Sequence, residues 1–261
     1  MVESLSPHSE LGWDPVNFFD SKITVFVNSF AHRWWTVDES VRFLAVNHLL
    51  KAGLLMTVFY FLWFQPSDEA GETEGVRMSE KRQIMLYTLL VCIPGLMVVR
   101  FLAADLPFRQ RPIFNPALHL RTAFSFEPGG LEPWSSFPSD HMVLVIALAT
   151  GMFLVNRRIG LFVYIYSFLC IALPRLYLGI HYPSDLLVGA LLGWAIAYSA
   201  KWVALRSLVA RGALRLSNGS SGLFYAGFFF LTFQTAYMYD PLRAGAHVAV
   251  DVLRIWLKFL H

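Results

Sequence analysis

Residues 174–185 read Pro-Arg-Leu-Tyr-Leu-Gly-Ile-His-Tyr-Pro-Ser-Asp, and apolar runs flank them at 159–173 and 186–200. A hydrophobic segment that ends in Arg175, His181 and Asp185 needs something polar for those groups to meet. Histidine titrates nearest neutrality, so His181 can serve as a nucleophile or a proton carrier. Asp185 follows four residues later, and Pro183-Ser184-Asp185 has the form of a helix start. A carboxylate in that first turn can reach back to a histidine just outside the helix and fix its tautomer. Arg175 adds a permanent cation with several donors, which suits phosphate. Taken alone, the stretch reads equally well as a capped helix start beside a snorkelling arginine.

The elements that must position these groups are membrane helices. Of 261 residues, 56% are hydrophobic and only 15% charged, against roughly 45–50% and about 25% in soluble domains. The net charge of +3 is too small and too dispersed to argue for a nucleic-acid partner. Hydropathy predicts an all-α polytopic membrane protein, a bundle of six spans at about 44–64, 83–104, 139–156, 159–178, 185–204 and 222–239. Amphipathic helices are expected at both ends: Val16–Phe30, too polar to span, and the tail from Arg243. The whole of 1–261 reads as a single domain. No cleavable leader is expected, so the first span serves as the insertion signal. Cys92 and Cys170 fall in apolar runs and read as buried thiols, without metal-ligand spacing. Residues 65–82 form a polar connector expected to be flexible. Residues 105–138 are the longest connector, rich in Pro and Gly, and a loop of that length is usually functional.

Counting spans from the N-terminus places connectors 105–138 and 179–184 on the same side of the membrane. Arg109, Arg111, Ser139, His141, Arg175, His181 and Asp185 then gather near one face, and ionisable groups at span ends mark functional sites. Two histidines, three arginines and a serine at a helix start suit phosphate chemistry. Arginines neutralise phosphoryl oxygens, and free N–H groups where the third span begins, at Ser139 and Asp140, can bind an anion. One histidine can attack phosphorus while the other protonates the leaving oxygen. No Walker loop, kinase-like motif set or acidic metal cluster is present, so no nucleotide, magnesium or other cofactor is expected.

These residues form recognisable motifs. Arg111-Pro112, then Pro138-Ser139-Asp140-His141, then Arg175-x5-His181-x3-Asp185 resemble the three signatures of the type 2 phosphatidic acid phosphatase superfamily, over roughly residues 80–204. The resemblance implies His181 as the nucleophile of a phosphohistidine, Asp185 as its orienter and His141 as general acid. It implies Arg111, Arg175 and the Ser139–Asp140 region as phosphate binders, and metal-independent hydrolysis of a lipid phosphate or diphosphate. Three positions depart from the pattern. The lysine seven residues before the first-motif arginine is Ala104, the serine before Arg175 is Pro174, and the glycine of Pro-Ser-Gly-His is Asp140. The last departure is shared with bacterial undecaprenyl-diphosphate phosphatases, which tilts the substrate toward a polyprenyl diphosphate. Arg100, one turn before Ala104, is the expected replacement for the missing lysine, with Lys51 as second candidate.

Other readings stay open: a phosphatidate or phosphatidylglycerol-phosphate phosphatase, a phosphotransferase using a second lipid as acceptor, and a lipid-binding protein that has lost activity. The expected partners are the lipid bilayer and a lipid phosphate. Basic residues crowd the opposite face (Arg77, Lys81, Arg82, Arg157, Arg158, Lys201, Arg206, Arg211, Arg215). The positive-inside rule therefore puts the active site outside the cytoplasm, in a bacterial inner membrane. Arg109 and Arg121 read either as phosphate contacts or as exposed loop charges. Trp34, Trp35 and Trp63 fit an interfacial belt.

Overall fold

The helix α5 (Asp140–Val155) is apolar on every side, and Met142 through Met152 are all buried. A helix with no polar face belongs in the middle of a bundle. It packs between α4 (Glu80–Asp105) and α8 (Pro183–Tyr198). The α5–α8 approach is close because Gly189 and Gly193 of α8 lie against the backbone of α5. A Cβ at either position would overlap the carbonyl of Ser139 or Val143, and small residues are what let helix backbones touch. That contact places the N-termini of α5 and α8 side by side, where Ser139 donates its N–H to the Asp185 carbonyl at 3.2 Å.

A computed structural model describes residues 16–65, 80–131 and 134–240. Residues 66–79 of the expected flexible connector and the expected amphipathic tail from Arg243 lie outside the described residues, while residues 80–82 of that connector open α4. The remaining described helices are α1 (Phe18–Asn28), α2 (Trp35–Val46), α3 (Leu54–Phe64), α6 (Arg157–Ser167), α7 (Leu173–Tyr177), α9 (Val203–Gly219) and α10 (Ser221–Ala236). No strand occurs among the described residues.

Six spans were expected; length and apolarity support fewer. Helix α4 and the continuous Arg157–Tyr177, which runs through a π-helical stretch at Phe168–Ala172, are long enough to cross. Two further spans arise only if bent pairs count as one: α2 with Leu49–Phe64, bent 62°, and Pro183–Lys201 with α9, bent 85°. The first bend has a local cause. Asn47 ends α2 in an extended conformation, and its side chain accepts from Leu50 N–H, capping the next helical stretch. Helices α5 and α10 have 16 residues each, about 24 Å at 1.5 Å per residue against a hydrocarbon core of about 30 Å. Helix α9 was expected as a connector. Hydropathy finds spans and passes over helices interrupted by Arg206, Arg211 and Arg215.

Helix α1 is turned inside out. Its buried residues are Asp20, Thr24 and Asn28, spaced four apart, whereas Phe18, Phe19, Val25 and Phe26 are exposed. A polar stripe facing protein and an apolar face turned outward suit a helix at the membrane boundary. Asn28 donates to the carbonyls of Arg121 and Tyr177 and accepts from Arg121 N–H. Asp38 of α2 accepts from His32 N–H, Phe124 N–H and the Tyr177 hydroxyl. These bonds fasten α1 and α2 to the 105–138 connector and to α7. The connector itself is ordered by short 3₁₀ turns, each beginning at a proline (Pro112, Pro116, Pro128).

The aromatic runs divide between packing and exposure. Phe59, Phe224 and Phe228 are buried, while Phe61, Phe64, Phe229, Phe230 and Phe233 are exposed. Trp34 and Trp35 are exposed as a belt requires, but Trp63 is not. Its ring lies 4.4 Å from that of Phe228 in the core, because α10 packs over the face of α3 that carries it.

Candidate active site

His181 lies in the turn between α7 and α8. Asp185, in the first turn of α8, accepts from the backbone N–H of Tyr182 at 2.8 Å and so closes the helix start. The ring of His181 points Nδ1 at the Ser136 carbonyl, 2.9 Å away, and Asp185 Oδ2 is farther off at 3.7 Å. The hydrogen bond expected from Asp185 is thus made by a backbone carbonyl of the long connector. A carbonyl can only accept, so Nδ1 carries the proton and Nε2 presents its lone pair. That is the tautomer a nitrogen nucleophile requires.

His141 has its own partner. Its Nδ1 lies 2.9 Å from Asp140 Oδ1, and the other oxygen of Asp140 accepts from Arg100 at 3.1 Å. The departure from glycine at 140 therefore supplies a carboxylate between His141 and Arg100. That carboxylate can only accept, so any hold of residue 140 on an anion comes from its backbone N–H. Arg100, Arg111, Asp140 and His181 line one open cleft with Val99, Ala103, Trp134, Ser135 and Pro138. Arg111 also donates to the Ile180 carbonyl at 3.2 Å, directly before His181. Lys51 lines a neighbouring small cavity with His48 and His141 instead. Arg175 is buried and donates to the Ile171 carbonyl at 3.0 Å. It lies within Coulombic range of Asp140 and Arg111.

Two hydroxyls complete the wall. Ser136 and Ser139 are fully buried, and the Oγ of each has no hydrogen-bond partner among the described residues. A buried hydroxyl without a partner costs about 1–3 kcal/mol. Both flank the start of α5, where backbone N–H groups and the helix dipole favour an anion. All nine residues singled out from the sequence thus gather around one end of α4, α5 and α8, with Lys51 behind His141. Among the described residues, no three His, Cys, Asp or Glu are grouped to hold a metal ion.

Three contributors were not singled out: Asp20, Ser136 and Ser184. Arg109, read as an ambiguous loop charge, is held by three residues. It pairs with Asp20 at 2.6 Å, with Asp185, and with Ser184 Oγ at 2.8 Å. Its guanidinium also lies 4.2 Å from the centre of the Tyr182 ring. Burial alone would raise the Asp20 carboxyl, but hydrogen bonds from Ser184 and Arg109 outweigh it and hold that group below its ordinary range. Burial likewise opposes the charge on Arg109, yet Asp185 and Asp20 keep its guanidinium more firmly protonated than usual. The signal that could have found Asp20 is its spacing with Thr24 and Asn28 along one face of an otherwise apolar helix.

Comparison with known proteins agrees with the motifs. Residues 83–208 match the family model described as the PAP2 superfamily. Over 109 residues the chain is 30% identical to the undecaprenyl-diphosphatase BcrC of Bacillus subtilis, covering 42% of this chain and 52% of that protein. Over 70 residues it is 36% identical to the bacitracin transport permease protein BcrC of Bacillus licheniformis, covering 27% and 34%. The chain therefore spans only about a third to a half of the length of these curated relatives. The crystal structure of Aquifex aeolicus LpxE aligns with 73% of this chain and 99% of its own, with 21% identity and a TM-score of 0.48.

Proposed function

We propose that this chain, whose residues 83–208 match the PAP2 superfamily model, is a membrane lipid phosphatase that works through a phosphohistidine, with undecaprenyl diphosphate as its favoured substrate. The observation that carries this reading is His181, its Nδ1 held by the Ser136 carbonyl and its ring lining a cleft with two arginines. In the first step Nε2 forms a bond to phosphorus as the bond from phosphorus to the leaving oxygen breaks, and His141 gives that oxygen a proton. In the second, His141 takes a proton from water as the water oxygen bonds to phosphorus, and the nitrogen–phosphorus bond breaks. Arg100, Arg111 and Arg175 offset the charge of the transferring group, with Ser136 and Ser139 as hydroxyl partners. The polyprenyl preference is supported by Phe137-Pro138-Ser139-Asp140-His141 and by the named activity of the Bacillus subtilis relative. Transfer to a lipid acceptor uses the same histidine pair, and product analysis with and without an acceptor separates the two reactions. The test is phosphate release in detergent from undecaprenyl diphosphate, phosphatidate and phosphatidylglycerol phosphate. Release should be blocked by vanadate and unaffected by EDTA; release from none of the three overturns the reading.

The proposal includes six crossings, with α5 and α10 as short spans, in a bacterial inner membrane. The basic residues of the far face then lie in the cytoplasm, and the cleft opens outside it. With Cys92 and Cys170 replaced by alanine, Ser125→Cys should react with an impermeant maleimide added to intact cells, and Arg211→Cys only after permeabilisation. Labelling of position 125 from the inside alone reverses the orientation.

Arg100 is the group we assign to the place of the absent lysine. Its pairing with Asp140 is consistent with that role, because an arginine lining the cleft can meet a phosphoryl oxygen while keeping one donor on the carboxylate. Arg100→Ala should lower turnover of a diphosphate by about 10²-fold, and adding Ala104→Lys should restore part of it. Unchanged kinetics in the single variant would move the role to Lys51.

A further inference from the structure

The most fully bonded polar group near the site lies outside residues 83–208. Asp20 of α1 is fully buried. Its carboxylate accepts from Ser184 N–H at 2.9 Å, Ser184 Oγ at 2.6 Å, Arg109 at 2.6 Å and Asn17 at 2.9 Å. Arg109 is shared between Asp20 and Asp185, and Asp185 in turn faces His181 Nδ1 at 3.7 Å. The backbone of Arg109 is tied to the same place, since its carbonyl accepts from Ser136 N–H at 2.9 Å and Ser136 holds the His181 ring.

The charges in this group decide what it can do. Two carboxylates and one guanidinium leave a net charge of −1 beside His181. Without Asp20, Arg109 would pair with Asp185 alone, and the pair would be neutral. When Nε2 bonds to phosphorus with Nδ1 still protonated, the imidazole becomes cationic, and a net negative neighbour favours that state.

We propose that Asp20 is a positioning residue for the reaction: by taking up part of the charge of Arg109, it leaves Asp185 free to stabilise cationic His181, and it anchors the Ser184–Asp185 end of α8. Helix α1 thereby becomes a working part of the active site. This inference rests on the phosphohistidine reading above. It concerns turnover more than substrate binding, because the cleft groups Arg100, Arg111 and Asp140 that also face His181 are left in place.

The test compares charge variants by steady-state kinetics against pH in detergent, with phosphate release from undecaprenyl diphosphate as the readout. Asp20→Asn keeps an acceptor for Ser184 but removes the charge. It should lower kcat about tenfold, leave KM within about twofold, and move the acid limb of kcat/KM to lower pH by about half a unit or more. The sign follows from the charge that is removed: attack needs an unprotonated nitrogen, and less negative surroundings lower the pH at which protonation blocks it. Arg109→Gln makes the group −2 and should move the same limb to higher pH. The double variant returns the group to −1 and should bring the limb back toward wild type. Opposite shifts in the two single variants support the proposal. Equal profiles in all three, or losses that add in the double variant with no movement of the limb, overturn it. Should Asp20→Asn fail to fold, the Arg109→Gln variant decides the matter: a limb that does not move to higher pH overturns the proposal. Failure of the underlying reading looks different: the wild-type protein then releases no phosphate, or His181→Ala keeps its activity.

Discussion

Replacing His181 with alanine should slow phosphate release by at least about 10⁴-fold, the scale of loss when a covalent nucleophile is removed. The substitution deletes Nε2 and little else. The ring makes one hydrogen bond, to the Ser136 carbonyl, and lines an open cleft, so that carbonyl can turn to water. Expression and behaviour in detergent should therefore stay close to wild type. The variant should also form no acid-labile phosphoenzyme when given ³²P-labelled lipid. A stable His181→Ala protein that still turns over would end the covalent mechanism, whatever the substrate.

The next largest effect belongs to His141→Ala, and it should depend on the leaving group. General acid catalysis is worth about 10²–10⁴-fold. It matters most when the departing oxygen is a poor leaving group, as with the alcohol of phosphatidate. A diphosphate releases a lipid phosphate, which departs far more easily without a proton. The variant should therefore lose most of its activity on phosphatidate at the first step. On undecaprenyl diphosphate it should release a burst of one lipid phosphate per site and then stall as phosphoenzyme, because water attack still needs a base. Equal losses on both substrates and no burst would remove His141 from the acid–base role. Asp140, 2.9 Å from its Nδ1, would then be left without a histidine to orient.

The three motifs could be read without a structure because each is local. Arg175, His181 and Asp185 lie within the end of α7, the turn after it and the start of α8, and Pro138 to His141 are consecutive. Spacing along the chain nearly fixes distance in space for such groups. Composition likewise announced membrane helices, since an apolar excess needs no folding to be counted. Span counting expected the two connectors together, and they do meet, as where Ile113 donates its N–H to the Gly179 carbonyl. Hydropathy alone went wrong where a helix need not span: it passed over α9 and over most of α2, which ends at Val46 just before the bend at Asn47. It also assigned Trp63 to the boundary by residue type, although its packing against α10 is set by a segment 165 residues away.

What only the tertiary structure decided is who partners whom among the charges. Arg100 was visible as a costly cation in an apolar run, but its pairing with Asp140, 40 positions on, was not. Asp20 meets Arg109 and Ser184 across 89 and 164 positions. Nothing in the spacing of those residues could foretell it. The tautomer of His181 was predicted to depend on Asp185, four residues away, and is set by a carbonyl 45 residues away. Helix formation and membrane partition depend on neighbours within a turn or a span, so the sequence states them directly. A buried charge takes whichever partner the packed helices bring to it, and that is settled only once α1, the long connector and α8 have closed on one another.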